Sequence, residues 1–218
     1  MKHLFLFGGG PPFTHKLAQL FTKVRKSESP VIFLVLEREV WADFIPYYAD
    51  LLKANRVQEC RFLPLPTTDI DEAVAAIEQS SGIVIGGGDT NRYADSIVDT
   101  PINKAIHAHY QAGHPVAGFS ADALITPERC VISAKDNDER ELQSRPGLGL
   151  FGDMLIALHY SEWDEEMHVR KSVQTYSPQQ NLALDEQTGA YFRNGELVEV
   201  DGAGGVYTLE EGEIHRVE

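Results

Sequence analysis

Gly82-Ile83-Val84-Ile85-Gly86-Gly87-Gly88-Asp89-Thr90 carries a short β-branched run straight into three glycines and then two residues suited to capping a helix. A strand that ends in a flexible turn and opens a helix is the repeating unit of a mostly parallel sheet covered by helices. The unit recurs in both directions. Upstream lie the apolar runs His3-Phe7, Val31-Leu36 and Glu59-Leu63, and downstream lies Pro115-Phe119. Between them Leu17, Leu20, Phe21 and Val24 repeat at helical spacing, as do Trp41, Phe44, Ile45, Tyr48 and Leu52. Asp69 followed by Glu72 predicts an N-cap with a first-turn charge, opening a helix through Ile77. From Asn181 onward the pattern turns to strands, with Asn194-Gly195 as a type I′ turn between Tyr191-Phe192 and Leu197-Val200, and Val206-Leu209 as a last strand. The expected fold is therefore α/β, a helix-flanked parallel sheet with a C-terminal antiparallel strand extension.

The chain has 218 residues, 43% of them apolar, enough for an ample core. No linker, charge block or repeat divides it, so residues 1–218 are read as a single domain. Its 33 acidic against 19 basic side chains give a net charge of -14, which disfavours nucleic acid and anionic membranes as partners. No apolar run approaches the roughly 20 residues of a membrane helix, and Met1 to Gly10 lacks the basic flank and cleavage site of a leader, so a cytoplasmic location is expected. Cys60 and Cys130 are too few for a disulfide framework and are read as reduced. The carboxylates show no metal-ligand spacing, and neither metal nor organic cofactor is expected.

In open α/β sheets ligands collect beyond the carboxyl ends of the strands, where three segments stand out. Phe7-Gly8-Gly9-Gly10-Pro11-Pro12 has the spacing of neither a dinucleotide fingerprint nor a P-loop and fits a tight turn as well as a binding loop. Gly86-Gly87-Gly88-Asp89-Thr90 can turn backbone N–H groups toward a ligand, or simply cap a helix through Asp89 or Thr90. Gly118-Phe119-Ser120-Ala121-Asp122 sets a serine on a strand-to-helix turn, either as a nucleophile with the Ala121 N–H beside it or as a helix cap.

A serine nucleophile needs a base, and the base needs an orienting acid. His159 follows the apolar run Met154-Leu158 and so stands at a strand end, as Ser120 does, with a partly buried core histidine as its other reading. The spacing of His107, His109 and His114 scatters the rings around a helix and predicts solvent-facing side chains, and His168 on a charged helix is expected to be solvated. For the acid, Asp136 and Asp138 follow a short strand, Cys130-Ser133, with an ordinary polar turn as the alternative.

Taken in order, these segments resemble the S51 serine peptidase family of aspartyl dipeptidases (peptidase E) and cyanophycinases. Gly86-Gly87-Gly88-Asp89-Thr90 is similar to the family's glycine loop, Gly118-Phe119-Ser120-Ala121 to its Gly-x-Ser-Ala-Gly elbow, and Leu158-His159-Tyr160 to its His-Phe segment. Leu182-Ala183-Leu184-Asp185-Glu186, the Asn194-Gly195 hairpin and Gly204-Gly205-Val206-Tyr207 resemble its closing strands. The resemblance implies a three-layer, flavodoxin-like sheet related to that of class I glutamine amidotransferases. It further implies Ser120 as nucleophile, His159 as base, Asp136 as orienting acid with Asp138 second, and an oxyanion site between Ala121 and Gly87 or Gly88, with Asp89 on the same substrate-binding loop.

Two departures bear on function. The family has glycine where this chain has Asp122, and a carboxylate there could crowd the turn or oppose an oxyanion. Ser161-Glu162-Trp163-Asp164-Glu165-Glu166 stands where cyanophycinases carry more arginine. The expectation is a serine hydrolase acting on a short peptide or isopeptide such as an Asp-X dipeptide, with Arg92 and Arg170 as candidate partners of an acidic substrate group. The alternative is a catalytically silent small-ligand-binding relative. A homodimer is allowed, and nothing in the sequence sets the oligomeric state.

Overall fold

The computed structural model describes residues 1–39 and 41–217. Its first half lays down β1 (His3–Phe7), β2 (Val31–Leu36), β3 (Cys60–Leu65), β4 (Gly82–Ile85) and β5 (Pro115–Phe119). Helices α1 (His15–Val24), α2 (Ile45–Ala54), α3 (Ile70–Glu78), α4 (Thr90–Ile97), α5 (Pro101–Gln111) and the short α6 (Ala121–Ile125) alternate with them. A hairpin of β6 (Arg129–Ile132) and β7 (Gln143–Pro146) follows. Then come β8 (Met154–Leu158), α7 (Glu166–Tyr176), β9 (Gln180–Leu184), β10 (Thr188–Arg193), β11 (Glu196–Gly202), β12 (Val206–Glu210) and β13 (Glu213–Arg216).

The main sheet has the order β11-β10-β1-β5-β4-β2-β3. Its strands from β1 to β3 in that order are parallel, and β10 and β11 extend it antiparallel beside β1. Period-two alternation sends neighbouring side chains to opposite layers. Leu4, Leu6, Ile32 and Leu34 pack with Ile77 of α3 and Ile106 of α5, whereas Phe5, Phe7, Val31 and Phe33 pack with Leu17 and Phe21 of α1 and Leu52 of α2. Each such buried side chain contributes about 1.5–3 kcal/mol. Both faces are filled, so the strands read as apolar runs rather than alternating ones.

Local signals act as their chemistry dictates. The Asp69 carboxylate accepts from the N–H groups of Asp71 and Glu72 at 2.9 and 3.3 Å and starts α3. Asn194 and Gly195 both take positive φ, 54° and 88°, as a type I′ turn requires. The extension exceeds the expectation: β12 and β13 join β9 and β8 in a second sheet of order β13-β12-β9-β8. Glu213–Arg216 is polar and largely exposed, and so carries no hydrophobic signature of a strand.

Two registers position the site. Parallel pairing aligns Phe7 of β1 with Phe119 of β5, so Gly8 and Ser120 emerge side by side. Likewise Leu158 of β8 aligns with Leu184 of β9, so His159 and the pair Asp185-Glu186 leave the second sheet at one edge. Backbone bonds join the two edges: Ser120 N–H donates to the Phe7 carbonyl at 3.0 Å and His159 N–H to the Gly8 carbonyl at 3.3 Å.

Candidate active site

Ser120 stands between β5 and α6 with φ 51° and ψ −117°, a strained conformation for a residue with a side chain. The turn is tight enough that a Cβ on Gly118 would lie 3.0 Å from the Ala123 backbone nitrogen. That constraint lifts the hydroxyl out of the sheet edge. The Ser120 Oγ lies 2.9 Å from Nε2 of His159, which itself has φ 51° at the end of β8.

On the other side of the ring, Nδ1 of His159 lies 2.8 Å from Oε1 of Glu186. This corrects the expected assignment of the orienting acid. Asp136 makes no hydrogen bond to the imidazole; its Oδ2 accepts from the Thr90 hydroxyl at 3.0 Å, and burial raises its carboxyl above the usual range. Asp138 is exposed. Both follow β6, whereas the parallel pairing of β8 with β9 delivers Glu186 beside His159. The sequence signal was an acid just past a strand end, together with the glycines at 8–10. A Cβ on Gly8 would fall 2.1 Å from the Asp185 carbonyl oxygen, and one on Gly9 would fall 2.9 Å from the Glu186 Cα. The first glycine loop is thus the bed on which Glu186 lies.

The second glycine loop runs beside the nucleophile, where a Cβ on Gly87 would lie 3.4 Å from the Ser120 Cβ. Its Gly87 N–H donates to the Tyr48 hydroxyl at 2.7 Å. Among the described residues, the N–H groups of Gly88 and Ala121 donate to no protein acceptor. Asp89 caps α4, its carboxylate accepting from the Arg92 N–H at 2.8 Å.

Asp122 neither crowds the turn nor reaches solvent. Its side chain is wholly buried in α6, both oxygens lack partners, and burial raises its carboxyl well above the ordinary range. Burial without a partner favours the protonated carboxyl, so the environment works against a negative charge beside an oxyanion.

Ser120, Asp136, His159, Trp163 and His168 line a narrow cavity. His168 is not solvated as expected, since burial pushes its imidazole down to about 4. Asp136 also walls an open cleft of about 810 Å³ that carries Asp89, Arg92, Lys135, Asp138 and Arg140. Arg92 therefore lies within reach of a substrate in that cleft, whereas Arg170 is held by Glu166 at 2.8 Å and by the Gly212 carbonyl at 2.6 Å on α7. His109 and His114 also depart from expectation: their rings stack at 4.3 Å, and His109 is 6% exposed. Cys60 and Cys130 are free thiols.

The molecule is thus an α/β protein that sets a strand-to-helix serine in line with an imidazole and a carboxylate at the edge of a helix-covered parallel sheet. The model of peptidase family S51 matches residues 4–200, and the chain belongs to that family. It is 24% identical to the cyanophycinase of Trichormus variabilis over 144 residues, 64% of this chain and 48% of that protein. To the cyanophycinase of Synechococcus elongatus it is 24% identical over 175 residues, 77% of this chain and 54% of that protein. The chain thus spans about half the length of these curated relatives. A peptidase structure from an acI-B1 actinobacterium superposes with a TM-score of 0.71 at 20% identity, covering 100% of this chain and 94% of the other. A Listeria monocytogenes EGD-e structure assigned to peptidase E gives 0.68 at 21% identity, covering 93% and 99%. These similarities carry the fold. The described residues include no helix long and apolar enough to cross a membrane.

Proposed function

We propose that the chain is a serine-type hydrolase cleaving a short peptide or isopeptide through an acyl-enzyme. The observation that carries this reading is the unbroken hydrogen-bonded line from Glu186 through His159 to Ser120, at 2.8 and 2.9 Å. Ser120 Oγ attacks the scissile carbonyl while Nε2 of His159 takes its proton, and Glu186 holds Nδ1 and stabilises the imidazolium. The carbonyl oxygen becomes an oxyanion facing the N–H groups of Ala121 and Gly88, each donor of this kind being worth on the order of 10²–10³ in rate. Collapse expels the amine, which leaves with the proton from Nε2. Water then attacks the ester by the same route and frees Ser120. The cleft beside Asp136 mixes carboxylates with Arg92, Lys135 and Arg140, and these cations are the groups that would pair with the acidic side chain of an Asp-X dipeptide.

One observation favours the silent, ligand-binding reading: Tyr48 already engages the Gly87 N–H, leaving the loop one donor fewer for an oxyanion. A fluorophosphonate probe read by intact mass separates the two. A single adduct on the wild-type protein that disappears in Ser120→Ala supports the hydrolase and directs screening to Asp-X and β-aspartyl dipeptides. A folded protein that takes no adduct overturns it.

A further inference from the structure

Ser161-Glu162-Trp163-Asp164-Glu165 has no part in the proposed reaction, yet it wraps the base and its carboxylate. The Trp163 indole stacks on the His159 imidazole with centroids 4.1 Å apart and planes 13° apart. Its backbone N–H donates to the His159 carbonyl at 2.8 Å. The segment is itself pinned. Lys135 donates to the carbonyls of Trp163 and Asp164, and the Glu165 carboxylate accepts from Ser133 Oγ at 2.7 Å. Both carboxylate oxygens of Glu162 receive the Glu186 N–H at 3.2 Å, and the Asp185 carboxylate receives the Ser161 N–H at 3.0 Å.

The two ring nitrogens of His159 are held by Ser120 and Glu186, but bonds along the ring edge leave the imidazole free to tip about the axis that joins them. A flat indole on one face removes that freedom. An indole face also attracts a cation, so the contact strengthens when the imidazole takes the serine proton and does little while the ring is neutral. An interaction made only as the imidazolium forms speeds acylation instead of merely tightening the ground state.

We propose that Trp163 is a positioning residue of the Ser120–His159–Glu186 line, fixing the imidazole plane and stabilising the imidazolium through its stacked indole face. The role rests on the hydrolase reading above. Other charged or titratable groups act on the same ring: Glu186 at Nδ1, Asp136 and Glu165 across the cavity, His168 on its wall, and Lys135 and Glu162 through the segment and Glu186. All of these remain in a Trp163 variant, so the change isolates the indole.

The test is the second-order rate of fluorophosphonate acylation against pH for wild type, Trp163→Phe and Trp163→Leu, with thermal unfolding of each. Trp163→Leu is expected to acylate about tenfold more slowly, with its acid limb moved to lower pH by roughly half a unit, and Trp163→Phe to recover most of both. The wild-type indole emission is also expected to titrate with that limb and to lose the titration in His159→Gln. A Trp163→Leu rate that falls while the acid limb and its emission counterpart stay put marks a merely structural role and overturns the proposal. So does an unchanged rate. In both cases the wild-type adduct leaves the hydrolase reading standing, whereas a wild type that takes no adduct removes both.

Discussion

Glu186 Oε1 lies 2.8 Å from Nδ1 of His159, and the backbone N–H of the same glutamate rests on the Glu162 carboxylate at 3.2 Å. The acid is therefore fixed at both ends, and its position is a property of the fold. Glu186→Gln is expected to lower kcat by about 10²–10⁴ with little change in KM, since the neutral amide no longer stabilises the imidazolium. Asp136→Asn should act chiefly on KM, because Asp136 borders the cleft and makes no bond to His159. Steady-state kinetics of the two variants checks the assignment, and a reversed pattern would return Asp136 to the triad.

Tyr48→Phe removes the acceptor of the Gly87 N–H in a buried setting. The orphaned donor should cost about 1–3 kcal/mol in urea unfolding. Loss of the anchor should also slow acylation roughly tenfold, as the glycine loop no longer stays in register with Ala121. Faster acylation would instead show that the hydroxyl competes with the substrate oxygen.

Asp122 keeps its proton in the folded state to a pH well above its ordinary value, while in the unfolded chain it ionises near pH 4. Between those limits the folded state binds the extra proton, so this group's contribution to stability declines as pH rises. Asp122→Asn is neutral throughout and escapes that decline. The melting temperature of the variant should match wild type near pH 4 and exceed it increasingly toward pH 8. A constant difference across the range would mean that the carboxyl is ionised in place.

His109 behaves in the opposite sense. Burial and the neighbouring His114 ring push it down to about 4, so the folded state binds fewer protons than the unfolded chain between about pH 4 and pH 6.5. Its contribution is complete above that window and is lost as pH falls through it, at a slope of about 1.4 kcal/mol per pH unit for one proton. His109→Gln should flatten the acid side of a urea stability profile. A profile parallel to wild type would assign acid sensitivity elsewhere, with His168 the next group to change.

Strand and helix positions were legible because β1, β2, β4 and β5 are buried on both faces and so appear as apolar runs bounded by turn residues. Ser120 and His159 were legible for a related reason, each being a reactive side chain immediately past such a run. Glu186 was not. It sits in an acidic, turn-like stretch, Asp185-Glu186-Gln187, and only the pairing of β8 with β9 reveals its role. The burial of His109 could have been read, since Ile102, Ala105, Ile106 and His109 form a three-and-four stripe on the inner face of α5. Asp122 shows the limit of reading a motif by charge, for its burial without a partner disfavours the ionised form.

The end of the first strand and the glycine after it supply the carbonyls, of Phe7 and Gly8, that receive the Ser120 and His159 amides, and the Gly8 N–H donates to the Thr188 carbonyl at 3.0 Å. The parts of the reactive line are thus spread from the eighth residue to the hundred and eighty-eighth. During synthesis the serine emerges long before the carboxylate that must orient its base. On the proposed reading, a chain that has not yet reached Glu186 holds a serine whose base has no orienting carboxylate, and the line closes only when β9 pairs with β8 and β10 with β1.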